Sequence, residues 1–217
     1  MSSKQIKQSL MNQRSLRKSP REAGQKPASD RVFDVAADLF YRKGIRAVGV
    51  EEIVKQAGVA KISLYRSYAS KDDLIVTYLK RRNAAFWRQM DEDFFAHKGD
   101  PRAQLRAVMT YLANRTTQPG YRGCPFINYA AEFPDAEHPG HAVAQANKRE
   151  WRSRLTQIAQ ALGAPRPEQL GDALLLLVEG AYAISQNLGG SDGPGHVIVW
   201  AAEALVEKQL GASHKHS

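Results

Sequence analysis

Residues Val50 to Leu74 constrain the fold of this chain more than any other stretch. Ile53, Val54 and Ala57 recur at helical spacing and make a small apolar stripe. Gly58 follows at once, and glycine supplies the positive φ that a sharp helix-to-helix turn needs. Val59 and Leu64 are placed to pack back on the first helix, which leaves Lys61, Ile62, Ser63, Tyr65 and Ser67 facing outward. The pattern predicts two short helices, 50–57 and 60–67, with one buried seam and one exposed polar face. A helix-turn-helix reader of DNA is built this way. Residues 50–59 alone fit an ordinary helical hairpin equally well.

The continuation is more specific. Residues 57–74 read AGVAKISLYRSYASKDDL. This resembles the signature of the TetR (tetracycline-repressor-like) family of bacterial regulators, whose pattern is close to AGVSKGTLYRHFPSKEDL. Ala36, Leu39, Phe40, Gly44 and Ile53 also fall where that family places its first two helices, so the match covers residues 30–82. The resemblance implies an all-α, TetR-like fold of about nine helices. An N-terminal three-helix helix-turn-helix domain binds DNA, and a C-terminal helical domain binds ligand and dimerises.

Three positions depart from the family pattern. Ala60 stands where Ser or Thr is common, and Gly49 where Thr or Ser caps the second helix; Gly is a weaker N-cap than Ser. Ile62 replaces Gly or Ala on the reading helix. It either reaches outward, where an apolar side chain meets a thymine methyl, or packs against the protein. The expected DNA-binding set is Gly49, Lys61, Ile62, Ser63, Tyr65, Arg66, Ser67 and Lys71. Lys61 sits early on the reading helix, where a lysine can donate to guanine O6 and N7. Lys71 opens the next helix, where its charge and the free N–H groups favour a phosphate. Tyr68 takes an aromatic core position.

Charge follows the same division. The chain is net +9, and the excess lies in the first 82 residues. Residues 1–28 hold seven Lys/Arg against one acid, residues 29–82 eleven against seven, and the remainder thirteen against fourteen. This is the asymmetry that phosphate binding requires. Pattern and composition divide the chain into a disordered basic arm (1–28), a helix-turn-helix segment (29–74), a longer helical part (75–211) and a tail (212–217); the resemblance implies that residues 75–211 bind ligand and dimerise.

Ser70-Lys71-Asp72-Asp73 reads as a capping-box start of a long helix that ends near His97. Helices follow at about 102–117, 125–133, 141–162, 168–188 and 196–210, separated by Pro/Gly breaks, and strand alternation is nowhere sustained. Aromatic and polar side chains on these helices suggest a cavity. Its expected lining is Phe86, Trp87, Met90, Phe94, Tyr111, Cys124, Phe126, Asn128, Tyr129, Trp151, Leu155, Tyr182 and Gln186. Asn128, Tyr129, Tyr182 and Gln186 are the groups that could orient a ligand. No acidic or basic cluster on these helices calls for a charged one, and the inducer is an unknown small molecule. The expected dimer surface joins two stripes. One comprises Leu170, Leu174, Leu177, Val178 and Ala181, the other Val197, Trp200, Ala201, Ala204 and Leu205. The resemblance implies that two such helices from each subunit form a four-helix interface.

Cys124 is the single cysteine, so no internal disulfide framework exists. The stretch Tyr121 to Glu132 also resembles a motif in one branch of the family, some of whose members sense electrophiles or oxidants through a nearby cysteine. A thiol at a helix start is activated by its surroundings; a buried small apolar side chain is the alternative. Enzyme readings find no support: there is no Gly-rich phosphate loop, HExxH or GxSxG. No metal or cofactor is expected; His138 and His141 with Glu137 lie in a Pro/Gly break. No apolar run approaches the ~20 residues of a membrane span and no secretory leader is visible, so no membrane partner and a cytoplasmic setting are expected.

The reading is thus a ligand-responsive homodimeric repressor on a palindromic double-stranded DNA operator. A repressor that uses Cys124 as a redox or electrophile sensor is one alternative. A helical small-molecule-binding module with no DNA role is another.

Overall fold

Gly58 turns the chain where the sequence predicts it. Its φ is +62° and ψ 41°, the left-handed conformation. Its N–H bonds Lys55 O, and the N–H of Val59 returns to Val54 O at 3.1 Å, so the last carbonyls of one helix are satisfied before the next begins. The computed structural model describes residues 26–190 and 193–213, side chains 93–95 and 212–213 excepted. The basic arm and the terminal tail of the sequence reading fall mainly outside these residues.

Nine α-helices occur among the described residues: α1 (Ala28–Lys43), α2 (Val50–Ala57), α3 (Lys61–Ser67), α4 (Lys71–Phe95), α5 (Pro101–Thr116), α6 (Pro125–Glu132), α7 (Gly140–Ala161), α8 (Pro167–Ile184) and α9 (Ile198–Ser213). A 3-10 turn, Pro194–Val197, precedes α9. The all-α expectation is met. The last two helices are displaced from their predicted bounds: α8 ends at Ile184, not Leu188, and α9 starts at Ile198, after the 3-10 turn.

α1, α2 and α3 pack around Val32, Ala36, Phe40, Ile53 and Leu64, which are all almost fully buried. Each of the larger side chains contributes roughly 1.5–3 kcal/mol of transfer free energy. Tyr68 closes this core as predicted; its hydroxyl donates to Ser29 O at 3.3 Å. α4 starts on a cap in which Ser70 Oγ accepts from Asp73 N at 3.0 Å. Asp73 Oδ2 in turn accepts from Ala69 N. The long α4 then runs from the small domain into the large one, where it packs on α5 and α7. The large domain is a helical stack in which α7 lies along α8, and α9 lies on α5 and α8. No described helix is long and apolar enough to cross a membrane.

The dimer expectation needs correction here. Leu170, Leu174 and Val178 are 1%, 0% and 0% exposed. Ala181 is also buried. These four face α7 and the subunit's own core, because a helix lying along a partner spends one full stripe on it. The outward apolar side chains are different ones: Leu176 (74% exposed), Ile184, Leu188, Val197 and Trp200 (70%). Leu177, Ala201 and Leu205 are half-buried and Ala204 is exposed. The expected Val197 and Trp200 therefore stay on the open face, and Leu176 joins them.

Candidate DNA-reading helix and large-domain cavity

α3 is only seven residues long, and Leu64 holds it. That one anchor on α1 and α2 leaves the rest of the helix for solvent. Ile62 is 68% exposed, so the structure settles its direction as outward; Tyr65 is 45% exposed. Arg66 and Ser67 are exposed and Ser63 is half-buried. The Ser67 hydroxyl donates back to Ser63 O at 3.2 Å, which leaves its lone pairs free to accept. Gly49 is the exposed N-cap of α2, in extended conformation with open space about its Cα. Arg31, which sequence reasoning passed over, reaches the turn carbonyl of Gly58 at 3.4 Å.

The two lysines behave differently from each other. Lys61 is exposed and its ammonium bonds the exposed Glu51 carboxylate on α2; that hydrogen bond raises its pKa. An exposed pair of this kind is weak and opens readily. Lys71, expected to anchor a phosphate, donates to Ile45 O at 2.8 Å in the α1–α2 turn. It is half-buried, and burial lowers its pKa. A flexible four-carbon stem lets Lys71 fold back on a carbonyl of the turn, something that sequence position could not reveal.

The large domain holds a half-open cavity of about 360 Å³. Six expected residues meet on its wall: Phe86, Tyr111, Cys124, Phe126, Trp151 and Tyr182. Phe86 lies at the centre of the aromatic cluster, 5.4 Å from Trp151 and 6.3 Å from Tyr111 between ring centroids. Trp87, Met90 and Leu155 fall outside this wall. They line a much smaller apolar void on the other side of Trp151, because successive residues of α4 point to different faces. The side chain of Phe94 lies outside the described residues.

Three expected polar groups are engaged elsewhere. Asn128 Nδ2 donates to Arg122 O at 2.7 Å, and Gln186 Nε2 donates to Asn128 Oδ1 at 3.2 Å, so both brace the loop before α6. Tyr129 is buried with its hydroxyl 2.6 Å from His138 Nδ1. His141 Nε2 lies 2.8 Å from Phe133 O, so these histidines tie the α6–α7 connection.

Sequence reasoning missed the polar part of the wall. Arg82, Gln89, Arg115, Tyr121 and Asn147 all line the cavity. The sequence reading found no acidic or basic cluster on these helices, yet Arg82 on α4 and Arg115 on α5 both line the wall. They lie far apart in sequence and share one hollow only because α4 and α5 pack together. Arg115 lies over the Tyr121 ring, 5.7 Å from its centroid, and donates to the Tyr111 hydroxyl at 3.3 Å. Burial opposes its charge, and the tyrosines around it outweigh that, so its pKa lies above the ordinary value. Burial pushes the Tyr121 and Tyr182 phenols far up, which keeps both neutral.

Cys124 is buried at the N-cap of α6 and forms part of the wall. Lys148 Nζ is 3.6 Å from its sulfur and 2.7 Å from Glu179 Oε1. The same loop is stitched to the small domain. Tyr41 on α1 accepts from Arg122 N at 2.9 Å and reaches Gly123 O at 3.4 Å.

Two family models match this chain. Residues 32–77 match the tetR family of bacterial regulatory proteins, and residues 101–198 match the tetracyclin repressor-like C-terminal domain. A TetR-family transcriptional regulator from Streptomyces coelicolor superposes with a TM-score of 0.76 at 29% identity, over 85% of this chain and 97% of that one. A tetR-type transcriptional regulator from Streptomyces avermitilis gives 0.75 at 32% identity, over 85% and 98%. Among curated proteins, transcriptional regulator AcuR of Cereibacter sphaeroides is 29% identical over 147 residues, which is 64% of this chain and 67% of that protein. Other curated relatives align over 31% to 54% of their own length.

Proposed function

Because this chain belongs to the TetR family of bacterial regulatory proteins and is a DNA-binding transcriptional regulator, we propose that it is a ligand-responsive homodimeric repressor. The carrying observation is one helix that runs through both parts of the molecule. α4 starts against the α1–α2 turn, where Lys71 holds Ile45 O, and one turn beyond Tyr78 it presents Arg82 to the cavity. A ligand that moves α4 moves the reading helix with it.

In this reading each subunit lays α3 in a major groove of a palindromic operator. Lys61, Ile62 and Tyr65 meet base edges, and Ser63, Arg66 and Ser67 meet bases or backbone. Gly49 lets the backbone at the start of α2 approach a phosphate, since no side chain intervenes. The dimer forms on the open apolar face of α8 and α9 around Leu176, Val197 and Trp200. A ligand in the cavity favours the conformer whose two reading helices do not match the operator spacing. Release then follows from the differing affinities of ligand and DNA for two states. Genome-wide selection of bound DNA, followed by gel shifts with and without candidate small molecules, tests this. A protein that selects no DNA, or whose complex no cavity ligand disturbs, contradicts it.

One observation favours a second mode of induction. The Cys124 thiol forms part of the wall with the Lys148 ammonium 3.6 Å away. A cation beside the sulfur is the neighbour that reactive thiols have. An electrophile that enters the cavity meets this thiol. Intact mass after electrophile treatment, with Cys124→Ser as control, distinguishes this from reversible binding.

A further inference from the structure

We infer that the cavity takes a small organic anion, specifically a one-ring aromatic carboxylate that carries a hydroxyl. The inference rests on the reading of this cavity as the inducer site, and it begins from charge. Arg82 and Arg115 line the wall, no Asp or Glu does, and neither arginine has an ion pair among the described residues. Glu179 on α8 is already bound to Lys148. What the arginines have is aromatic faces. Arg82 lies 5.2 Å from the Tyr41 centroid and 5.6 Å from that of Tyr78, and Arg115 lies over Tyr121. A guanidinium has five donors, and Arg115 directs one to Tyr111. Two partly desolvated cations without a counter-charge are unfavourable, and an anion in this hollow offsets that cost.

The hydrogen-bonding inventory narrows the anion. The Tyr121 hydroxyl is buried without a partner and can donate to an oxyanion. Asn147 is 1% exposed; its Nδ2 is held by Asn83 at 2.8 Å, while its Oδ1 has no partner. An unpaired carbonyl oxygen only accepts, so it asks for a hydroxyl or N–H on the ligand. The rest of the wall is aromatic, chiefly Phe86, Phe126 and Trp151. A volume of about 360 Å³ is near the low end for ligand pockets, which suits a single ring. A planar carboxylate also matches the guanidinium fork through two parallel hydrogen bonds.

The test titrates the full-length protein with benzoate, 4-hydroxybenzoate and the two corresponding amides. Tryptophan fluorescence reports binding, since Trp151 is on the wall and Trp87 lies 5.2 Å from it. Each acid should bind at least about tenfold tighter than its amide, the usual margin of a charge-assisted hydrogen bond, and the hydroxy acid should bind tightest. Arg115→Gln should erase the preference for acid over amide, and Arg115→Lys should keep part of it. Asn147→Leu should bring 4-hydroxybenzoate down to the level of benzoate. Circular dichroism melts check that each variant folds, and Arg82→Gln stands in should Arg115→Gln not fold. Equal binding of acids and amides, no binding of any probe at millimolar concentration, or a preference that survives both arginine substitutions would overturn the proposal. The titration contains no DNA. Acids that bind through the arginines yet leave the operator complex intact in a gel shift would confirm the anion site while refuting the inducer reading.

Discussion

Glu132, the last residue of α6, accepts the backbone N–H of Arg46 at 2.7 Å, and its own carbonyl accepts Arg46 Nη1 at 3.1 Å. Arg46 belongs to the turn between α1 and α2, eighty-six positions earlier. The opposite end of α6 carries Cys124, Pro125 and Phe126 on the cavity wall. One short helix thus touches the cavity with its first turn and the small N-terminal domain with its last. A helix of eight residues transmits a shift at one end to the other nearly as a rigid rod.

Glu132→Ala should therefore uncouple the two sites. Operator affinity without ligand should stay close to wild type. The ligand-induced change in that affinity, about 5- to 150-fold where two sites are coupled, should shrink toward none. Gel shifts with and without inducer measure both quantities. Undiminished induction in this variant would exclude α6 as the connection.

The neighbouring Gly44 has φ +90°, and a Cβ there would lie 3.1 Å from Glu132 Oε1. Gly44→Ala combines backbone strain with crowding of that carboxylate. It should lower stability by about 1–3 kcal/mol, read as a shift in the urea midpoint. An unchanged midpoint would show that the turn relaxes freely.

Lys61 and Lys71 should separate in a salt titration. Lys61→Ala should cost about 1–3 kcal/mol at one or two base pairs and relax sequence preference there. Glu51→Gln should tighten binding, because it frees Lys61 and removes a carboxylate near the phosphates. Lys71→Ala should lower the melting temperature by releasing Ile45 O, while the slope of log K against log salt stays as in wild type. A slope flatter by about 0.9 per site would instead make Lys71 a phosphate contact.

The dimer surface is tested by contrast. Leu176→Glu places a charge on the open apolar face and should give a folded monomer with weak operator binding. Leu174→Glu places it in the subunit core, where an unpaired buried charge should prevent folding. Sedimentation velocity and circular dichroism distinguish the two outcomes. A Leu176→Glu dimer as stable as wild type would remove this face from the interface.

Alkaline pH should unfold the protein through its buried phenols. Burial raises Tyr78 from 10.0 to about 12, and it also raises Tyr121 and Tyr182 well above the ordinary phenol value. A phenol that loses its proton more readily when unfolded stabilises the fold below its unfolded pKa. That contribution disappears as pH rises through the interval up to the folded value. For Tyr78 stability should accordingly fall from pH 10.0 to about 12, at up to about 1.4 kcal/mol per pH unit for each such phenol. Tyr78→Phe should make the decline shallower, as measured by urea melts across that range. Equal declines in both proteins would exonerate Tyr78.

The sequence by itself determined whatever depends on neighbours along the chain. The α2–α3 pair is set by Ile53, Val54 and Ala57 at helical spacing and by a left-handed residue at Gly58. The start of α4 is set by Ser70 and Asp73. The outward face of α3 follows once Leu64 is its anchor. Each of these is a local rule with a period of a few residues, so it can be read without knowing the fold. Tertiary packing alone decided the rest. It turned Lys71 back onto Ile45, committed Leu170, Leu174 and Val178 to the core, and drew Asn128 and Gln186 away from the cavity into a loop brace. It also brought Arg82, Arg115, Tyr121 and Asn147 to one wall. Periodicity tells which face of a helix is buried but not which neighbour covers it. A stripe buried inside the subunit therefore looks the same in sequence as one awaiting a second copy. Two arginines on separate helices come to line one hollow only when α4 and α5 pack together, which no local pattern in the sequence records.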